Sequence, residues 1–459
     1  MSDGSAVTSE SAEARTEGGA VALVRPAARL RGELRLPGDK SISHRALMLA
    51  ALADGESRIV GAGDGADVRS TAGVVAALGA NVERVAGDGR TVDYRIVSPG
   101  ADGLRAPSTS LDCGNSGTTM RLFSGILAGL PLTATLDGDD SLRRRPMARI
   151  IEPLRSMGAV VQARQNDSLP PLTVVGRTPL RAVNVTPRVP SAQVKSAILL
   201  AGLRAEGVTT VHESVGTRDH TERMLRARGV VVRRDDGRGT SVAVSIEGGG
   251  LVGAMDEQVP GDVSAAAFWL VAGAIHPDAE LTLHDVGVNP SRRAVIDLLG
   301  AMGARIDERA AGPDDGVGEP IADLTIRSSQ LHAIDLGPDD VAAAIDEIPV
   351  LCLAAATAAG TTRIRGAGEL RHKESDRIVG IVAGLRAFGA RIDVDGDDLT
   401  IHGGARLTGA ATDSLSDHRL AMTFAIAGLI ADGVTHVGQP ASAAVSYPGF
   451  FAELERVRA

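Results

Sequence analysis

The sequence predicts an α/β protein made of six similar units, grouped as two lobes of three with a cleft between them. Three observations carry this expectation. A phrase of a small residue, a short alternating strand and a polar turn begins at Ala53, Ala128, Ala205, Pro277, Ala358 and Ala431. Its markers Gly55, Gly129, Gly207, Asp278, Gly360 and Gly433 fall 71 to 82 residues apart, a longer period than solenoid repeats have. A second phrase, a helix end followed by Gly and a strand, occurs five times, as ALGANVERV (77–85), SMGAVVQAR (156–164), ARGVVVRR (227–234), AMGARIDER (301–309) and AFGARIDVD (387–395). The Gly suits a left-handed helix cap, and the alternating residues after it read as a strand. Finally, GFFAELERVRA is a helix with no strand after it, and ARLRGELRLPG is a strand with no helix before it. The N-terminal strand is therefore expected to complete the sixth unit, with the chain ends close together. Two lobes leave a cleft, where ligands prefer to bind.

Composition narrows the class. The chain has 459 residues, 44% apolar and only 2% aromatic, so a large core must be built from Ala, Val, Leu and Ile. A net charge of −9 argues against nucleic acid as a partner. Cys113 and Cys352 form neither a metal spacing nor a disulfide framework, which fits a cytoplasmic protein. Apolar runs such as AAAFWLVAGAI (265–275) are too short to span a membrane. Residues 1–25, rich in Ser, Ala, Gly and Glu, read as a disordered tail without a signal peptide.

Arginine supplies 45 of the 48 basic side chains, and the three lysines are Lys40, Lys195 and Lys373. A lysine ammonium is a compact point charge that loses its proton more readily than a guanidinium. Its retention at three places suggests sites where arginine will not serve.

The motifs repeat one arrangement: cations or hydroxyls at the start of an apolar helix, where free N–H groups and the helix dipole favour anions. PGDKSISHR places Lys40, Ser41 and Arg45 there, although Ser41 or Ser43 as a simple N-cap is the plain alternative. DCGNSGTTMR brings Asn115, Gly117 and, in the first turn, Arg121. GDDSLRRRPM clusters Arg143, Arg144 and Arg145, and VPSAQVKS brings Ser191, Gln193 and Lys195. TRDHTERML has Arg218, with Asp219 and Glu222 spaced as a capping box. In the second half, Asp346 and Glu347 precede an apolar helix, where partial burial is expected to raise a carboxyl toward a useful base. RHKESDR packs Lys373, Glu374 and Arg377, with a surface ion-pair lattice as the plain alternative, and SDHRLAM adds Arg419. The implied ligands are small anions, with Asp346 and Glu374 left to move protons.

Taken together, PGDKSISHRALMLAAL, GNSGTTMRL, RPM, VPSAQVKSAILLAGL, RDHTERML, LRHKESDRI and DHRLAM resemble the 3-phosphoshikimate 1-carboxyvinyltransferase (EPSP synthase) family, in the family's order from about Leu30 onward. The resemblance implies an inside-out α/β barrel fold, two lobes of three βαβαββ-type repeats, with 26–38 plus 256–459 as one lobe and 39–255 as the other. It implies transfer of the enolpyruvyl group of phosphoenolpyruvate to the 5-hydroxyl of shikimate 3-phosphate. No cofactor and no metal are needed, the partners are those two substrates, and a monomer is expected. Carried over by position, Lys40, Ser41 and Arg45 hold shikimate 3-phosphate, with Lys40 also reaching phosphoenolpyruvate. Asn115, Gly117 and one arginine of 143–145, taken as Arg145, bind phosphoenolpyruvate. Ser191, Ala192, Gln193, Arg218 and Lys373 face the shikimate ligand. Asp346 is the base toward the 5-hydroxyl, Glu374 the proton donor to C3, and Arg377 and Arg419 clamp phosphoenolpyruvate. The GDKS, SAQVK and RDHTE motifs resemble the glyphosate-tolerant branch, which NPSR (289–292) matches only in part. The nearest rival family, UDP-N-acetylglucosamine enolpyruvyl transferase, usually uses a loop cysteine. Another rival is a scaffold of the same fold that binds anions without catalysis.

Overall fold

In a computed structural model of the chain, which describes residues 14–16, 19–237, 239–312 and 314–458, the strands assemble into six four-stranded sheets of one design, plus one short parallel pair. In each sheet a short edge strand runs parallel to a second strand, which pairs antiparallel with a third, which pairs antiparallel with a fourth. The first sheet, for example, is Glu257–Gln258, Asp54–Gly63, Thr91–Pro99 and Asn81–Gly87. The fourth repeats it with Leu30–Arg35, Ala279–Gly287, Ile321–Arg327 and Arg305–Ala310.

Two strands depart from the expected pairing. ARLRGELRLPG does not close the sixth sheet; its strand Leu30–Arg35 lies parallel to Ala279–Gly287 in the fourth. The sixth sheet is completed instead by Gly19–Val24, antiparallel to Thr435–Gly438, with Ala14–Thr16 antiparallel to it at the edge. The expected disordered tail over 1–25 is thus corrected in its final part, where Val24 is buried; residues 1–13, 17 and 18 lie outside the described residues. A strand needs only a few alternating apolar residues and a partner, and GAVALV supplies these once the partner some 400 residues later is in place.

Six helices are buried almost all round: Lys40–Leu52, Gly117–Ala128, Ala192–Gly202, Val263–Ile275, Ile348–Thr357 and His418–Gly428. Their lack of a polar face is what a fully covered helix requires. At Gly125 the helices Gly117–Ala128 and Ala192–Gly202 approach so closely that a Cβ would lie 2.1 Å from the Ala197 carbonyl oxygen. Of the eight other α-helices among the described residues, five end before Gly79, Gly158, Gly229, Gly303 and Gly389, whose φ values lie between 82° and 107°, as the helix–Gly–strand phrase predicts. The last of the eight is Phe450–Val457.

The buried side chains form two separate cores, one from residues between Ile42 and Val259, the other from Val24–Leu36 together with Val263–Val457. The chain crosses between them twice, at Pro37-Gly38-Asp39 and at Pro260-Gly261-Asp262. Asp39 N donates to Pro260 O at 2.8 Å and Asp262 N to Pro37 O at 2.9 Å. Only glycine fits at 38, because a Cβ there would lie 2.0 Å from Gly61 O. The second crossing falls a few residues later than the expected 255/256 boundary, since Glu257–Gln258 still pairs with Ile59–Val60.

Candidate active site

The two crossings place matching helix starts beside each other. Asp39, not Ser41 or Ser43, caps Lys40–Leu52, accepting from Ile42 N at 2.9 Å, and Asp262 caps Val263–Ile275, accepting from Ser264 N at 2.8 Å. Burial and the neighbouring Asp39 push the Asp262 carboxyl up to about 6, against the pull of Arg292 and Arg419. Ser116, Ser191 and Asp417 cap three of the other buried helices. Each cap leaves further N–H groups of the first turn available.

From the first core come two groups. Lys40 projects from its helix start, 40% exposed, with Nζ 3.1 Å from Asp67 Oδ2. Arg45, expected as a direct ligand, is buried, and Nε, Nη1 and Nη2 donate to Thr221 Oγ1 (2.7 Å), Ser41 O (2.9 Å) and Ser196 Oγ (3.1 Å). Because a guanidinium carries five N–H donors, two remain for an anion. Arg145 is the member of 143–145 that turns toward the Gly-rich turn: it donates to Asn115 Oδ1, and a Cβ on Gly117 would lie 3.5 Å from its Nη1. Arg143 instead forms a fork with Asp137. Arg121 lies closer still, with Nη1 2.8 Å from that Cβ position, and donates to Gln193 Oε1 at 2.6 Å; Gln193 Nε2 in turn donates to Thr118 Oγ1. Burial, with Arg145 and Arg149 nearby, lowers Arg121 to about 10. In the sequence, Arg121 is marked only by its place in the first turn after the Gly-rich loop. Ser191 and Ala192 stand at the start of the neighbouring helix, where Ser191 accepts from Val194 N.

From the second core, Asp346 lies 3.3 Å from Lys373 Nζ and 3.5 Å from Arg377 Nη1. Arg218, from the first core, donates to it across 3.2 Å. The expected rise of the Asp346 carboxyl is overturned. Burial does push it up, but Lys373, Arg218, Arg419 and Arg292 outweigh burial and hold it well below the usual range. Glu374 accepts from Arg377 Nη2 at 2.6 Å, and although burial opposes it, Arg377 and His418 bring it down to about 2. Arg377 is 1% exposed, anchored by Nε to Asp417 Oδ2 at 2.8 Å, while its Nη1, 3.5 Å from Asp346 Oδ1, makes no hydrogen bond among the described residues. Arg419 donates to Ser264 O, stacks over Phe268 and likewise keeps a buried Nε without acceptor. Buried cations with donors left over are able to hold an anion. Arg377 and Asp417 are buried, so their ion pair does not belong to the surface lattice that is the plain alternative for RHKESDR.

The expected capping box does not form. Asp219 accepts instead from Asn289 Nδ2 (2.8 Å), Ser291 Oγ (2.9 Å) and Arg223 Nε (3.1 Å), and Glu222 pairs with Lys195. Asp346, Lys373, Glu374, Arg377 and Arg218 are thus drawn into one contact group, and Asn115, Arg145, Gly117 and Gln193 into another. Among the described residues no hydrogen bond or ion pair joins these two groups. Nor, among them, are three or more His, Cys, Asp and Glu side chains grouped to hold a metal ion. Cys113 and Cys352 are buried and burial pushes both thiols up, so neither offers the thiolate of a reactive loop cysteine.

The fold is α/β, and cations and carboxylates of the two cores meet at the Arg218–Asp346 contact. The family model for EPSP synthase (3-phosphoshikimate 1-carboxyvinyltransferase) matches residues 24–454. A 3-phosphoshikimate 1-carboxyvinyltransferase of Gloeobacter violaceus is 52% identical over 436 residues, covering 95% of this chain and 98% of the relative. One from Bacillus thuringiensis subsp. konkukian is 47% identical over 428 residues, covering 93% and 97%. The solved EPSP synthase of Acinetobacter baumannii superposes with a TM-score of 0.86 at 39% identity, covering 95% of this chain and 98% of that one. The chain belongs to the EPSP synthase family.

Proposed function

We propose a division of roles for the reaction of this family, the transfer of an enolpyruvyl group from phosphoenolpyruvate to the 5-hydroxyl of shikimate 3-phosphate in the shikimate pathway of aromatic amino acid biosynthesis. C3 of phosphoenolpyruvate takes a proton, the 5-hydroxyl adds to C2 as it loses its own, and C3 then gives up a proton as the C2–O bond to phosphate breaks, which re-forms the double bond and releases phosphate. The observation that carries the assignment is the convergence of Lys373, Arg218 and Arg377 on Asp346, with Glu374 held beside it on Arg377.

Without substrate both carboxyls are ionised. When an anion engages Arg218 and Lys373, Asp346 loses part of its countercharge and gains basicity toward the 5-hydroxyl proton. When phosphoenolpyruvate engages Arg377, Glu374 loses its main partner and sits beside a new negative charge. Its affinity for a proton then rises, as donation to C3 requires. Arg377 Nη1 and Arg419 Nε supply the orphaned donors of a carboxylate clamp. Asn115, Gly117 and Arg145, with Arg121 behind them, receive the phosphate of phosphoenolpyruvate. Lys40, Ser41, Ser191, Ala192 and Gln193 hold shikimate 3-phosphate, and Arg45 does so through its two spare donors. Fixed cations aimed at developing charge are the largest catalytic term such a site offers.

We read the two cores as two lobes of the inside-out barrel, hinged at the paired crossings, in a cytoplasmic monomer. Among the described residues no helix is long and apolar enough to cross a membrane. Phosphate release measured with phosphoenolpyruvate and either hydroxyl acceptor tests this function. Release with shikimate 3-phosphate but not with UDP-N-acetylglucosamine supports it, and the reverse refutes it.

A further inference from the structure

Lys195, the third lysine, reaches no solvent. Its side chain is 1% exposed, and its Nζ lies 2.9 Å from Glu213 Oε2, 2.8 Å from Glu222 Oε1 and 3.3 Å from the Thr217 carbonyl oxygen. Both carboxylates are as deeply buried as the lysine. Two hydrogen bonds, to Glu213 and to the Thr217 carbonyl, and an ion-pair contact with Glu222 converge on one point, which suits a compact ammonium with rotatable donors better than a planar guanidinium fork. Burial opposes the charge on Lys195, and the two glutamates more than restore it.

The surroundings connect this buried group to the acceptor side of the site. Ser196, the next residue, hydrogen-bonds Thr221, the neighbour of Glu222, and both hydroxyls accept from Arg45. Glu222 is the anion that most favours the charge of Arg45. Glu213 accepts from Thr217 N and Oγ1, and so fixes the segment leading into Arg218. Lys195 is thus the cation in contact with both Glu213 and Glu222, and Glu222 also acts on Arg45. Removing Lys195 would leave two buried carboxylates without that cation, one of them beside Arg45.

We propose that Lys195 is a positioning residue for shikimate 3-phosphate: it neutralises Glu213 and Glu222 so that Arg45 and Arg218 keep their charge facing the ligand. The proposal rests on the reading that Arg45 and Arg218 serve the shikimate ligand.

Michaelis constants for both substrates, with calorimetric binding of shikimate 3-phosphate, test it in the full chain. Lys195→Met should raise KM for shikimate 3-phosphate by about tenfold or more, the scale of one uncompensated charge at short range in a partly dry site. KM for phosphoenolpyruvate should stay within about threefold on the same argument. Adding Glu213→Gln to that variant should recover most of the loss, because the charge balance returns. Glu213→Gln alone separates charge from scaffolding by its sign: excess positive charge should tighten shikimate 3-phosphate, whereas loss of a mere scaffold would weaken it. That variant decides the matter if Lys195→Met does not fold. A folded Lys195→Met with unchanged affinity, or a Glu213→Gln with weakened affinity, overturns the proposal. Arg218→Ala is the control on the underlying reading: if it leaves shikimate 3-phosphate binding unchanged, the site assignment itself fails, whatever Lys195 does.

Discussion

Arg218 donates from Nη2 to Oδ2 of Asp346 at 3.2 Å, joining a helix start of one core to a helix start of the other. On the roles we propose, the base is stored in an ion pair with a ligand-binding cation, and substrate must separate them. Asp346→Asn should lower kcat by roughly 10²–10⁴, the worth of a positioned base, with calorimetric affinity for shikimate 3-phosphate little changed. Equal losses in binding and turnover would make Asp346 a binding group instead.

Lys40 stands at a helix start with Nζ 3.1 Å from Asp67 Oδ2 and is close enough to depress the neutral-favouring His418 of the other core. Lys40→Arg keeps the charge but moves it outward and spreads it over a plane. We expect a loss of about 2–4 kcal/mol in transition-state stabilisation, read from kcat/KM. Near-normal kcat/KM would show that the charge alone matters there.

Gly117 has space problems on one side only. A methyl group would meet Arg121 Nη1 at 2.8 Å and Arg145 Nη1 at 3.5 Å, both far ends of flexible side chains, so the fold should survive. Gly117→Ala should therefore raise KM for phosphoenolpyruvate several-fold while sparing calorimetric binding of shikimate 3-phosphate alone. Gly125→Ala makes the contrasting case. Its obstacle is the Ala197 backbone, so it should cost about 1–3 kcal/mol in denaturant unfolding, the usual price of overpacking.

The carboxyls fix the direction of two pH effects. Glu374 is lowered from 4.5 to about 2, so its contribution to stability is present above about 4.5 and lost as pH falls through about 2. Asp262 is raised from 3.8 to about 6, so its contribution is present below 3.8 and lost as pH rises through about 6. Asp262→Asn can still cap its helix. It should raise the urea midpoint at pH 7.5 and give no gain at pH 3.5. A variant that loses stability at pH 7.5 would show that Arg292 and Arg419 need the charge.

Much of this was legible in the chain. The sixfold period, the five left-handed glycines and the motif-bearing helix starts follow from local spacing, which short-range sterics and helix ends enforce. The closing strand Gly19–Val24 was not, because six residues among Gly, Ser and Glu acquire strand character only from Thr435–Gly438. The low proton affinity of Asp346 was equally hidden. Its apolar helix argues for a raised value, and the cations that reverse it come from Arg218 and Lys373, remote in sequence. The carboxylates of Asp219 and Glu222 have capping-box spacing, but tertiary partners Asn289, Ser291 and Lys195 took them first.

On the roles we propose, Asp346 and Glu374 move different protons, with Glu374 serving C3. Deuterium incorporation into the methylene of recovered phosphoenolpyruvate, followed by mass spectrometry during turnover in heavy water, tests it most directly, with phosphoenolpyruvate affinity measured alongside. Glu374→Gln should suppress incorporation by roughly 10²–10⁴ beyond any change in binding. Incorporation at the wild-type rate in that variant would contradict it and pass the role of donor to Lys40.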